Sequence, residues 1–302
     1  MSVALDYLPA DRSFLDPDRA DAANPAAARA VVIPFGLEAT VSYGAGTAAG
    51  PAAILEASQQ LELYDAELGC EPYRDFGIAA VVEPPIAAPA EAALDQLAGL
   101  VDGVLQAGKF PFVLGGEHSL TAGAVRPLVA RHPDLVVLQF DAHADLRDGY
   151  QGHRFSHAAA MRRVLDQPGH ERVSLVSVGI RAVSSPEVAF YEANRGRIAI
   201  HWGHEMARWK VEEIVAPLRG RPVYVTFDID ALDASVMPAT GTPTPQGLSY
   251  PQALEILRAA CGAGTVVGAD LVEFAPIAGL HACDYTAAAL AYKMLAYALG
   301  RR

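Results

Sequence analysis

Three ionisable side chains alternate in Asp141-Ala142-His143-Ala144-Asp145, directly behind the apolar run LVVLQF at 135–140. Asp228 and Asp230 follow PVYVTF (222–227) with the same two-residue rhythm, and His118 follows PFVL in GGEHS. Residues two apart in extended backbone project to one side, so each segment is expected to turn its polar groups into one space. The set is then four carboxylates and two imidazoles. Hard oxygen donors mixed with imidazole suit a borderline-hard divalent ion such as Mn²⁺, whereas zinc favours fewer and softer ligands. Four aspartates crowded together without a cation would repel one another and their pKa values would rise. Two divalent ions balance that charge, and two adjacent ions lower the pKa of a shared water, which is the chemistry of hydrolysis. His153 and His157, in GHRFSHAAAMRR, are candidates for moving protons, and Glu273, in DLVEFAP, for meeting a cationic substrate.

Each residue taken singly has a plainer use. An aspartate behind a strand is usually a helix N-cap or a turn residue. Lone histidines such as His132, His170 and His281 are ordinary polar residues. What sets the cluster apart is recurrence, because polar groups close several apolar runs of one chain.

The elements that must position these residues alternate regularly. Short apolar runs occur at 30–35, 110–116, 135–140, 173–180, 197–202, 222–227 and 265–271. Between them lie Ala/Leu/Glu-rich stretches of helical period, among them EAALDQLAGLVDGVLQAG, TAGAVRPLVARH and DYTAAALAYKMLAYAL. Strand-helix alternation with apolar strands predicts a largely parallel sheet covered by helices. A closed (β/α)8 barrel and an open three-layer sandwich both satisfy the pattern, and both place function at the carboxyl ends of the strands. Residues 1–29, rich in Ala, Asp and Pro, are expected to form an N-terminal arm, and 30–302 a single domain without linker or repeat.

Composition limits the partners. The net charge of −12 over 302 residues argues against a nucleic-acid partner and weakly favours cationic small molecules. Three cysteines without paired spacing suggest a reduced, cytoplasmic chain. The first residues carry acids and lack the apolar stretch of a secretory leader. AALAYKMLAYAL is short and holds Lys293, so no membrane span is expected.

GGEHS, DAHAD, FSHA, DIDALDAS followed by PATGTPTPQGLSY, and DLVEFAP together resemble the successive signatures of the ureohydrolases: arginase, agmatinase and their relatives. The resemblance runs from PFGLEATVSYGAGTAAGP to GLHACDYTAA. It implies the open α/β/α sandwich with a mainly parallel sheet, two Mn²⁺ ions, and hydrolysis of a guanidinium group to urea and an amine by a hydroxide held between the ions. It also implies a homo-trimer or homo-hexamer. Carried over by position, His118, Asp141, Asp145 and Asp228 would bind one ion, and His143, Asp141, Asp228 and Asp230 the other. His157 would be the proton shuttle, Glu273 the partner of the guanidinium, and Asp230 would also stabilise the reacting group; His153 falls to the rim. The stretches DLRD and FSHAAAMRR look most like the agmatinase branch, whose substrate agmatine yields putrescine and urea, with Asp148 or an acidic rim meeting the terminal amine. Guanidinobutyrate or another guanidino compound is the alternative substrate. Three departures stand out: Glu117 replaces the commoner Asp, Ala48 and Ala49 stand where a basic residue is common, and Gln246 stands where Gly is usual. The first rival is a deacetylase of the same fold with one zinc; the second is a metal-binding relative without catalysis.

Overall fold

The computed structural model describes residues 5–19 and 24–300; residues 1–4 and 20–23 of the expected arm, and 301–302, lie outside the described residues. Among the described residues eight strands form one sheet. They are β1 (Ala30–Phe35), β2 (Ile78–Ala80), β3 (Phe110–Gly115), β4 (Val136–Phe140), β5 (Ser174–Ile180), β6 (Ile198–Trp202), β7 (Pro222–Asp228) and β8 (Thr265–Val272). All pairings are parallel, in the order β2-β1-β3-β8-β7-β4-β5-β6. β2 and β6 are open edges, so the sheet does not close into a barrel.

The strands are mostly apolar because both faces are covered. Alternate residues enter different cores. Ala30, Val32, Phe112, Leu114, Leu138, Val225 and Leu271 face one hydrophobic cluster. Val31, Ile33, Val113, Val137, Tyr224 and Val272 face the other. Helices Gly50–Ser58, Tyr250–Ala263 and His281–Leu299 cover the first face. Helices Ala90–Gln106, Arg126–Arg131 and Ala160–Leu165 cover the second. The architecture is therefore the three-layer α/β/α sandwich.

Seven of the strands coincide with the apolar runs. β2 escapes the sequence pattern because it is three residues long and sits at an edge. The helical stretch TAGAVRPLVARH is interrupted at Val125, where Pro127 opens the next helix as an N-terminal proline. No helix among the described residues is long and apolar enough to cross a membrane.

Part of the N-terminal segment is built into the fold. Tyr7 bridges Val81 in antiparallel fashion, and Phe14 and Leu15 are fully buried in the first core. Arg19 donates to the carbonyls of Phe14 and Ile78 at 2.8 and 2.7 Å.

Candidate metal centre and active site

Strands β3, β8, β7 and β4 are contiguous in the middle of the sheet, and their carboxyl ends carry GGEHS, VEF, DID and DAHAD. Register then sets the neighbours. Phe140 pairs with Phe227, their rings stacked at 4.8 Å, so Asp141 and Asp228 leave adjacent strands at one level. Phe227 pairs with Leu271, which brings Glu273 to the same rim two residues on.

The aspartates converge by a different local route from simple strand alternation. β4 ends at Phe140, and β7 ends at Asp228. Beyond them the chain turns: Ile229–Ala231 is a single 3₁₀ turn, and Asp145 takes φ +52°. The carboxylates steer these turns themselves. Asp228 accepts the Asp230 N–H at 2.9 Å, Asp141 the His143 N–H at 2.6 Å, and Asp230 the Ala142 N–H at 2.9 Å. Behind β3, the backbone of Gly116 passes so close to Leu37 that a Cβ would lie 2.1 Å from its carbonyl oxygen, which only glycine permits.

Two ligand groups result. Nδ1 of His118 lies 3.1 Å from carboxylate oxygens of Asp141 and Asp145 and 3.3 Å from Asp228. Nδ1 of His143 lies 2.9 Å from Asp230 and 3.7 Å from Asp141. The ligand atoms of His118, Asp141 and Asp145, and those of Asp141, His143 and Asp230, are close enough to hold an ion in each, and Asp141 belongs to both; Asp228 approaches the first group through His118. The donor set fits a metal on a direct observation: buried Nδ1 of His118 has no hydrogen-bond partner although three carboxylates face it. On its other side Nε2 meets the Thr226 hydroxyl at 2.9 Å.

Electrostatics point the same way. Burial raises Asp145 to about 7, with the Asp141 charge adding to it, and burial with Asp230 and Asp141 raises Asp228 well above the carboxylate range. Burial opposes charge on the two imidazoles too, but the carboxylates outweigh it, raising His118 well above its ordinary value and His143 to about 12. These acids thus need a positive charge among them, from protons or from a cation.

A cavity of about 310 Å³ opens onto this cluster. Its lining includes His143, Asp145, Asp228, Asp230, His157 and Glu273. Glu273 sits at φ +63° and accepts the His118 N–H at 2.7 Å, while burial and then nearby Glu117 and Asp145 push its carboxyl up to about 8, against the stabilising His118 amide. His157 is held at both ring nitrogens, Nδ1 by Thr40 Oγ1 at 2.8 Å and Nε2 by Ser42 Oγ at 2.7 Å. Burial, with repulsion from His118 and His143, lowers its pKa to about 4, so the ring is neutral at physiological pH. His153 is exposed and does not line the cavity.

Other expectations shift. Asp148 bonds the fully buried Arg163 instead of facing the cavity, and Arg147 lines it. Ala48, Ala49 and Gln246 are exposed and outside the lining; neighbouring Thr47 and Thr242 form it. Glu117 accepts hydrogen bonds from the amides of Ala39 and Thr40 and the Thr40 hydroxyl, so it secures the loop that holds His157.

Four supporting residues escaped sequence reasoning. Gln139 donates to Asp141 at 2.7 Å and is fixed by Ser177 at 2.6 Å. An amide inside an apolar strand, two residues before an aspartate, was its visible signal. Arg181 donates to the carbonyls of Asp230, Thr244, Pro245 and Gly179 at 2.7–3.1 Å, tying the Asp230 turn to the 244–245 loop. Thr40 and Ser42 gave no signal, since hydroxyls in a loop are common.

The sequence profile of the Arginase family matches residues 28–298. The N(1)-aminopropylagmatine ureohydrolase of Synechocystis sp. is 37% identical over 279 residues, 89% of each chain. The agmatinase of Bacillus anthracis is 37% identical over 257 residues, covering 82% of this chain and 83% of its own. Among solved structures, the agmatine ureohydrolase of Thermoplasma volcanium superposes with a TM-score of 0.81 at 31% identity, over 92% of this chain and 93% of that one. Sequence and fold thus both have counterparts among known proteins: the chain belongs to the arginase family of ureohydrolases and is an amidinohydrolase.

Proposed function

We propose that the protein hydrolyses the guanidinium group of a small guanidino compound with an amine tail, agmatine or its N-aminopropyl derivative, to urea and the corresponding amine, using two Mn²⁺ ions. The observation that carries this proposal is the pair of ligand groups sharing Asp141, open to a cavity that also holds Glu273 and His157. His118, Asp141, Asp145 and Asp228 would hold one ion; His143, Asp141, Asp228 and Asp230 the other. When bound, the ions would lower the pKa of a water between them and so supply a nucleophile at neutral pH.

The protein's own groups do the rest. Glu273, half-buried at the cavity wall and raised to about 8, gains an ionised state when a guanidinium cation arrives, so substrate charge and carboxylate charge stabilise each other in a poorly solvated place. Asp230 supplies negative charge beside the same group. Neutral His157 can take up a proton and pass it to the departing amine, and the Thr40 and Ser42 hydroxyls hold the ring in place for this.

Cavity chemistry favours an amine tail over a carboxylate. Among the described residues Arg147 is the only arginine or lysine in the lining, and it lies 3.7 Å from Glu187 with its guanidinium 5.0 Å from the centre of the Tyr150 ring. A substrate carboxylate would have to break that arrangement, whereas a cation would not. Urea release should be measured with Mn²⁺ on agmatine, N1-aminopropylagmatine, 4-guanidinobutyrate and arginine. Either amine-tailed compound is expected to be fastest. Fastest turnover of guanidinobutyrate would overturn the tail assignment, and no urea from any would overturn the function. A homo-trimer or homo-hexamer in the cytoplasm, built from one domain over 30–302 behind the arm, completes the proposal.

A further inference from the structure

A buried chain of hydroxyls leads away from the metal cluster into the sheet. Asp270 on β8 and Thr226 on β7 are register partners, and both are fully buried. Oδ2 of Asp270 accepts two hydroxyl protons, from Thr121 at 2.8 Å and from Tyr224 at 2.9 Å. Thr121 lies 3.3 Å from Thr226, and Thr226 lies 2.9 Å from Nε2 of His118. Thr121 and His118 are also fully buried, and Tyr224 nearly so, leaving no room for solvent to supply alternative partners.

A hydroxyl has one proton to donate, and this decides every direction along the chain. The Thr121 proton is committed to Asp270, so towards Thr226 it can only accept. Thr226 therefore points its proton away from His118 and can only accept from the imidazole. The proton of the neutral ring must then sit on Nε2, which leaves the Nδ1 lone pair facing Asp141, Asp145 and Asp228. We propose that Asp270 is a positioning residue that fixes His118 in its metal-binding tautomer through Thr121 and Thr226. Asp270 touches neither the cavity nor any ligand, and its Oδ1 has no hydrogen-bond partner. A half-satisfied buried carboxylate is expensive to keep, and orienting a ligand from outside the site is a role that accounts for it. Outer partners of a ligating histidine are worth about 10–100-fold in metal affinity.

The proposal rests on the metal reading above, and its test keeps the two apart. Mn²⁺ should be titrated into the full-length wild-type, Asp270→Asn, Thr121→Val, Thr226→Val and Thr226→Ser proteins, with free Mn²⁺ read by EPR and folding by circular dichroism. The wild type is expected to bind two ions. Thr121→Val, Thr226→Val and Asp270→Asn should each weaken one of the two by about 10–100-fold and leave the other unchanged, while Thr226→Ser, which keeps the hydroxyl, restores it. In the Zn²⁺-loaded, ¹⁵N-labelled protein the Nε2–H signal of His118 should be lost in Thr226→Val. The valine variants preserve side-chain shape, so they decide the matter if Asp270→Asn does not fold. Wild-type Mn²⁺ affinity in folded Thr121→Val, or a Thr226→Ser as weak as Thr226→Val, would overturn the role of Asp270. A wild type that binds no Mn²⁺ would instead overturn the metal reading.

Discussion

At the scale of single residues, His157 shows how environment selects a role. Both its nitrogens meet hydroxyls, and burial with two neighbouring imidazoles holds its pKa near 4. Replacing it with asparagine should lower kcat by about 10²–10⁴-fold, the usual contribution of a positioned acid-base group, with Mn²⁺ content unchanged by metal analysis. The same shift sets a pH dependence of stability. In the unfolded chain the imidazole takes up its proton around 6.5, whereas in the fold it does so only near 4. Between these values the unfolded state binds more protons, so stability falls as pH drops from about 6.5 towards 4 and is unaffected above that window. In metal-free protein, urea denaturation should show wild type losing about 1–2 kcal/mol more than His157→Asn across that range, after allowance for the partial exposure of the ring. Equal slopes for the two proteins would remove this account of the group.

At the scale of elements, the site is built mainly by turns. Arg181 joins the 3₁₀ turn carrying Asp230 to the loop at 244–245 through backbone carbonyls alone, a use that needs the forked geometry of a guanidinium. Arg181→Ala should destabilise the protein by about 3 kcal/mol, several charge-assisted hydrogen bonds being lost together, and should lower kcat/KM at least tenfold. Arg181→Lys should recover little of either. Denaturant midpoints and urea-release kinetics measure both; full activity in the lysine variant would show that charge alone suffices. Gln246, at φ +63°, occupies a left-handed position that costs an L-residue about 1–2 kcal/mol, which glycine avoids. Gln246→Gly should therefore be neutral or stabilising by up to about 1 kcal/mol, since part of the relief is lost to the greater freedom of glycine in the unfolded chain.

At the scale of the whole molecule, the cluster and the cores are linked through stability. A chelator should lower Tm and added Mn²⁺ should restore it, because an ion bound only by the folded state stabilises by about 2.7 kcal/mol at a hundred times its Kd. A Tm indifferent to chelator would contradict an ion in the site. The N-terminal segment belongs to the same unit energetically, since Phe14 is fully buried in the first core and the Leu15 N–H donates to Ser58 Oγ of helix Gly50–Ser58. Phe14→Ala should cost about 3–5 kcal/mol, read by denaturation.

Local sequence was enough for what depends on neighbours along the chain. Seven strands, the covering helices and the segments bearing His118, Asp141, His143, Asp145, Asp228, Asp230 and Glu273 could be read there, because apolar periodicity and ionisable residues behind apolar runs are local properties. Tertiary structure decided the strand order, which sets β3, β8, β7 and β4 side by side and places Asp141 level with Asp228. Parallel strands pair through crossovers across long stretches of chain, and no local period encodes which one lies next to which. For the same reason the supports of the site could not be read in advance. Thr40, Ser42, Arg181, Thr226 and Asp270 contact groups from about 50 to about 150 residues away. DAHAD carried its candidate ligands in plain view; the tautomer we propose for His118 depends on contacts made only where β7 and β8 meet.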